Sequence, residues 1–239
     1  MTSHPTEPDR LDGTLAARDQ RIRELEREVK RLAEVLEAEQ KAAEALRLAL
    51  GQHIHRSKNM LAIMQSISHR TICEGRSAGD TRDALTGRLR SLSRAYHLLV
   101  VAEGRGAEVG DVIETQLIEV SDRVTAAGPP ARLAASGVLT FALAIHELAS
   151  NAMKHGALRA QGGGVAVGWT YFELGADRYL EVAWSERGGV PPRAPSQYGF
   201  GLTLVSSFAE PGGARPNVAF DSEGLNCRLR LSQDVLMAV

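Results

Sequence analysis

The sequence predicts an α+β protein, with helices first and an antiparallel-rich sheet after them. Charge partition is the first observation. Residues 1–50 hold 9 Lys/Arg, 11 Asp/Glu and no aromatic residue, residues 51–100 hold 8 Lys/Arg against 3 Asp/Glu with four His, and residues 101–239 hold 11 against 15 with most of the glycine. Periodicity is the second. Apolar residues recur at helical spacing through the first two stretches, and strand-like alternation is confined to the third. Separate runs of helix and strand indicate α+β rather than a parallel βαβ sheet. Three parts are therefore expected: 1–50, a charged helix; 51–104, a basic helical hairpin; 105–239, an α/β domain.

The first part repeats every seven residues. Leu11, Leu15, Ile22, Leu25, Val29, Leu32, Leu36, Ala43, Leu46 and Leu50 fall on alternating steps of three and four, with Arg18 and Glu39 out of pattern. These are a and d positions of a coiled coil, and so narrow a stripe favours self-association over lying on the chain's own domain. The register continues through His53, Ser57, Met60, Met64 and Ile67, so one helix is expected to reach about His69. His55 then sits at f, pointing outward, with Asn59 one turn along the same face. Glycines 75 and 79 mark a loop, and a second helix from about Thr81 to Ala102 carries Leu85, Leu89, Leu92, Tyr96 and Leu99 on one face. So short a hairpin buries little alone. It is expected to pair with a second copy as a dimeric four-helix bundle.

Glu103–Gly110 reads as a linker. Val109–Val124 looks helical, and the segment from Gly128 to Leu133 reads as a turn into an edge strand. Ser136–His155 is a strong helix with Ser136 as its expected N-cap. Gly162–Leu174 and Arg178–Glu186 alternate as two strands of a hairpin. An irregular loop over 191–201, a helix over Leu202–Phe208 stopped before Pro211, and a hairpin of Val218–Asp221 with Asn226–Leu231 complete the chain.

Composition narrows the function classes. The formal net charge of −1 offers no whole-chain basic field for nucleic acid. No run of apolar residues is long enough for a membrane span, and the N-terminus lacks the basic-then-apolar order of a secretory signal. Two cysteines, Cys73 and Cys227, without a C-x-x-C pair disfavour a disulfide scaffold and a structural zinc site. A cytoplasmic protein is expected.

Four segments could carry chemistry. In HELASNAMKHGAL, Glu147, Asn151, Lys154 and His155 fall on one polar stripe of a helix, apart from an apolar stripe of Phe141, Ile145, Leu148 and Ala152. A carboxamide oxygen that can hold Mg²⁺, beside an ammonium that can neutralise phosphate, suits a nucleotide site, although such stripes are more often solvated helix faces. A zinc-protease reading fails because Ser150 stands where H-E-x-x-H needs its second His. In WSERGGVPP, Gly188 and Gly189 permit close backbone approach, and Glu186 could accept from an amino group such as that of adenine; an ordinary strand-ending turn is the plain alternative. In YGFGLTLV, Gly199, Phe200 and Gly201 lead into a helix whose N-terminus could cradle phosphate, and the spacing excludes both the Rossmann fingerprint and Walker A. In HRSKNMLAIMQSI, an outward His55 beside Arg56, Lys58 and Asn59 could accept a phosphoryl group, or be a surface His on a basic helix.

Taken in order, these segments resemble a sensor histidine kinase, and more narrowly the HWE subfamily. The His of its asparagine box is matched by His146, and its W-x-E by Trp184 and Glu186; H-R-x-K-N, R-A-Y-H-L-L and G-F-G-L-T-L-V also fit. The resemblance covers roughly residues 51–232. It implies that 51–104 is a dimerisation and phosphotransfer hairpin and that 105–239 is an ATP-binding domain of the GHKL type, an α/β sandwich. It further implies that His55 is the phosphorylated residue, Glu147 the asparagine-box acid, Asn151 the magnesium ligand and Lys154 a phosphate neighbour. Glu186 would read adenine, with Gly188, Gly189, Gly199 and Gly201 as glycine boxes. The chain departs from the pattern in Gln52, where relatives commonly carry an acid, in Pro211-Gly212-Gly213, and in a short lid between Arg187 and Tyr198.

The function so implied is an ATP- and Mg²⁺-dependent protein-histidine kinase that passes its phosphoryl group to an Asp of a response regulator receiver domain. A homodimer is implied, with a possible separate sensor protein. The alternatives are a histidine phosphotransferase that has lost ATP, and an anti-sigma-type serine kinase on the same nucleotide fold.

Overall fold

The computed structural model describes residues 7–72, 77–175, 177–189, 204 and 217–237, without the side chains of 7–17, 19, 52, 56 and 217. Two compact units divide at Ile63/Met64.

The first unit is the greater part of helix α1 (Glu7–Ile72), whose single helical run extends slightly past the expected His69. Its heptad seam is uncovered: Ile22, Leu25, Val29, Leu32, Leu36, Leu46 and Leu50 are 44–70% exposed. Flanking pairs such as Arg21–Glu24 and Glu37–Lys41 are fully on the surface and add little stability.

The second unit opens with the last turns of α1 and with α2 (Ala78–Val101). Ser77 caps α2: its Oγ accepts from the Asp80 N–H at 3.1 Å and its hydroxyl donates to the Asp80 carboxylate at 2.7 Å. Then come β1 (Ala107–Glu108), α3 (Val109–Leu117), β2 (Val124–Ala127), β3 (Arg132–Leu133), α4 (Ala135–His155), β4 (Gly164–Leu174), β5 (Asp177–Arg187), β6 (Asn217–Asp221) and β7 (Gly224–Leu231). The main sheet has the order β2-β4-β5-β7-β6, with β2 parallel to β4 and the remaining pairs antiparallel. Alternation along the strands buries Val165, Val167, Leu180, Val182, Trp184, Cys227, Leu229 and Leu231 on one face. The expected apolar stripe of α4 is fully sequestered too, with Phe141, Ile145, Leu148 and Ala152 at 1% exposure or less. Burial pushes the Cys227 thiol up to about 12, which leaves it inert; Cys73 lies outside the described residues.

Three expectations need correction. The helix predicted over Val109–Val124 stops at Leu117; a 3₁₀ stretch kinked at Val120 follows, and Val124 starts β2 instead. The partner that makes β2 a strand, Val165, is far away in sequence, so local propensity gave no warning. The expected linker contains β1, which pairs with β3. Ser136 is not the N-cap of α4. Ala134 takes that place without a side-chain cap, and its N–H donates to the Val235 carbonyl at 2.9 Å, so the C-terminal segment fixes where the helix starts. The irregular loop over 191–201 and the helix over Leu202–Phe208 lie outside the described residues, apart from a helical Leu204.

Candidate functional site

Helix α4 presents the predicted polar stripe as one wall of a cleft of about 480 Å³. His146, Glu147, Asn151, Lys154 and His155 all line it, and Asp80, Asp83 and Arg88 of α2 face them. Asn151 is half-buried, and Lys154 and His155 are exposed. The carboxamide oxygen of Asn151 is a hard donor suited to Mg²⁺, which keeps most of its waters and takes few protein ligands. Lys154 and His155 supply donors for phosphate oxygens. This donor set fits a magnesium-bearing polyphosphate.

Glu147 is engaged at the cleft wall itself. Arg88 grips it with both prongs, Nε to Oε1 at 2.7 Å and Nη2 to Oε2 at 3.0 Å. The Arg88 side chain is 2% exposed and that of Glu147 9%. Arg88 Nη1 also donates to the Thr71 hydroxyl, which donates in turn to the Ile67 carbonyl at the end of α1. Beside this pair, His146 packs on Gly87, where a Cβ would come within 3.2 Å of its Nε2. Burial lowers the affinity of the His146 imidazole for a proton. The Glu147 carboxylate opposes that shift, and Arg94 and Arg88 reinforce it.

Glu186 lies at the turn that ends α4. Its Oε2 accepts from the Ala157 N–H at 2.8 Å and its Oε1 from the Trp184 indole at 3.1 Å. Two residues apart on a strand means one face, which is the physical content of the W-x-E spacing. The carboxyl is 1% exposed, and burial raises its pKa against the pull of the two hydrogen bonds. Each oxygen retains a second acceptor position. Gly188 has φ +75°, and a Cβ on Gly189 would fall 2.4 Å from the Ala157 Cα, so the strand end lies directly on the end of α4. Gly199, Phe200 and Gly201 lie outside the described residues.

In the first unit, His55, Lys58 and Asn59 are exposed, as is His53, which the register places on the seam; the Asn59 amide nitrogen stands 3.5 Å from His55 Nδ1. The side chain of Arg56 is outside the described residues.

Sequence reasoning missed Arg88, Thr71 and Gly87. Arg88 looked like one more cation of a basic helix, and nothing local reveals a charge buried by a partner 59 residues away. A glycine inside a helix was the available signal, because it costs about 1 kcal/mol there unless it serves close packing.

The chain is a helical pair followed by a sheet-and-helix domain, with an Asn- and Lys-bearing helix at its cleft. Among solved structures it is similar to the Erythrobacter litoralis EL346 blue-light activated histidine kinase, with a TM-score of 0.51 and 20% identity, over 76% of this chain and 58% of that one. Residues 54–130 match the family model for HWE histidine kinase, and the chain carries a domain of that family. A blue-light-activated histidine kinase of Brucella anthropi is 31% identical over 174 residues, 71% of this chain and 35% of the relative. One of Brucella ovis is 31% identical over 193 residues, 78% of this chain and 40% of the relative. The chain therefore spans well under half the length of these curated relatives. Among the described residues no helix is long and apolar enough to cross a membrane.

Proposed function

We propose that the chain is an ATP-dependent protein-histidine kinase whose phosphoacceptor is His55. The observation that carries this reading is the cleft on α4, where Asn151, Lys154 and His155 gather a metal donor and two phosphate donors on one helical face. The family match, which begins one residue before His55, supports it.

Asn151 would hold Mg²⁺ through its amide oxygen, and Mg²⁺ when bound supplies charge neutralisation on the phosphate oxygens. Lys154 and His155 neutralise and orient the polyphosphate. Glu186 and the turn at Gly188–Gly189 offer acceptors and close backbone for the base. Asn59 stands beside His55 Nδ1; with its amide turned so that the oxygen accepts from an Nδ1–H, Nε2 keeps the lone pair that attacks. The new N–P bond forms as the bond from the γ-phosphorus to the bridging oxygen breaks; ADP leaves and the imidazole N–H proton passes to solvent, to which His55 is exposed. The phosphoryl group then passes to an Asp of a response regulator receiver domain. The exposed seam of α1 is the proposed dimer contact, with signal arriving through it or from a separate sensor protein.

The test is incubation with γ-labelled ATP and Mg²⁺. An acid-labile, base-stable label is expected on the protein, and none on His55→Ala, although that variant binds nucleotide normally. Full labelling of His55→Ala would overturn the assignment.

A further inference from the structure

We infer that Thr71 and Arg88 form a latch that engages both carboxylate oxygens of Glu147 at the wall of the nucleotide cleft, closed in this structure and opened for phosphoryl transfer. The inference concerns regulation of the site just proposed and rests on that reading. Glu147 stands one helical turn before Asn151 on the same face of α4, so its carboxylate belongs to the cleft by position. Yet one guanidinium from α2 takes both of its oxygens, at 2.7 and 3.0 Å. Each oxygen keeps a second acceptor position, but the carboxylate so held cannot rotate toward a ligand in the cleft without leaving Arg88.

The clamp has a third corner. Thr71 spends its hydroxyl hydrogen on the Ile67 carbonyl and accepts from Arg88 Nη1, so the last turn of α1 holds the guanidinium in the plane that meets Glu147. Three elements thus meet at one buried cation: the end of α1, α2 and α4. Thr71 is the corner that α1 contributes, so movement of the α1 end acts on the clamp through the Thr71 contact. Beside the clamp, Gly87 lets His146 of α4 close directly on the α2 backbone. Release turns a buried ion pair into a carboxylate whose oxygens are free to meet a ligand in the cleft beside Asn151. Nucleotide binding to a state populated only in part is weakened by that fraction, so loosening the latch tightens it.

The test uses the whole chain and a non-hydrolysable ATP analogue with Mg²⁺, titrated by calorimetry, alongside labelling from γ-labelled ATP. Thr71→Val exchanges a hydroxyl for a methyl of similar size, and Arg88→Lys keeps the charge without the fork. Both are expected to bind the analogue roughly threefold tighter or more, with faster labelling, and Glu147→Gln combined with Thr71→Val erases both gains. If Arg88→Lys does not fold, Thr71→Val decides. Unchanged or weaker analogue binding by folded Thr71→Val overturns the latch. Tighter binding with no label on any protein upholds the latch and sinks the kinase reading, and no binding by any protein overturns both.

Discussion

The Trp184 indole N–H donates to Glu186 Oε1 at 3.1 Å, so the two letters of the W-x-E signature are one hydrogen-bonded unit on β5. The second carboxylate oxygen reaches back to the Ala157 N–H, just beyond α4. Strand, indole and helix end are thereby tied through a single carboxyl that is 1% exposed.

Glu186→Gln keeps the shape but has only one acceptor oxygen for two donors. Its NH₂ must face an N–H, so a loss of about 1–3 kcal/mol is expected in urea denaturation. The variant also changes the pH response. The unfolded carboxyl ionises around its ordinary 4.5, and the folded one only at higher pH. The folded protein therefore holds the extra proton across that window, and this group's contribution to stability declines as pH rises through it. The stability gap between wild type and variant should narrow from pH 4.5 upward; a constant gap contradicts the buried-carboxyl account.

Gly156→Ala attacks the same unit from the other side. A Cβ there would lie 2.0 Å from Glu186 Oε2 and 2.9 Å from the Ala152 Cα, one an acceptor in use and the other backbone. Neither can yield cheaply, so the variant should lose about 1–3 kcal/mol and behave non-additively when combined with Glu186→Gln. Additive losses would separate Gly156 from the Glu186 unit.

These residues show what was legible in the sequence. The stripe of Glu147, Asn151, Lys154 and His155 followed from helical period alone, and all four line one cleft. The strands β4 and β5 followed from period-two alternation. What the sequence hid was long-range: β2, which needs Val165 to exist as a strand, and the Arg88–Glu147 pair, which joins residues 59 apart. The Trp184–Glu186 bond was within reach, because residues i and i+2 of a strand share a face.

His146 gives a pH test of opposite sign. Burial lowers its pKa from 6.5, so below that pH the unfolded chain takes up a proton that the folded protein refuses. Its contribution is complete above pH 6.5 and is lost as pH falls from 6.5 toward the lowered value. His146→Phe should flatten the acid-side decline in the urea midpoint. An unchanged slope would assign that decline to other groups.

The heptad seam predicts association. Val29 and Leu36 are 65% and 57% exposed in the single chain. Covering such positions against a second helix drives coiled-coil pairing, and charges there oppose it. Val29→Lys with Leu36→Lys should convert a dimer into a monomer by light scattering at micromolar concentration. A monomeric wild type would remove α1 as the dimer contact.

The Arg88–Glu147 pair predicts a thermodynamic cycle apart from any regulation. With the Arg88 and Glu147 side chains 2% and 9% exposed, both charges have lost most of their water, and each is tolerable because of the other. Arg88→Met should therefore destabilise by about 3–5 kcal/mol, because it strands the Glu147 carboxylate and leaves Thr71 without its guanidinium. Glu147→Met strands the cation by a similar amount. The double variant removes both charges and replaces them with apolar chains that can pack in the same space. It should recover most of the loss, which gives a coupling energy of several kcal/mol on the order expected for buried pairs. Intrinsic fluorescence in urea is the measurement, since Trp169 and Trp184 both lie in the second unit. Single-variant losses that simply add in the double variant would mean that the two side chains stabilise the fold through separate contacts rather than through each other.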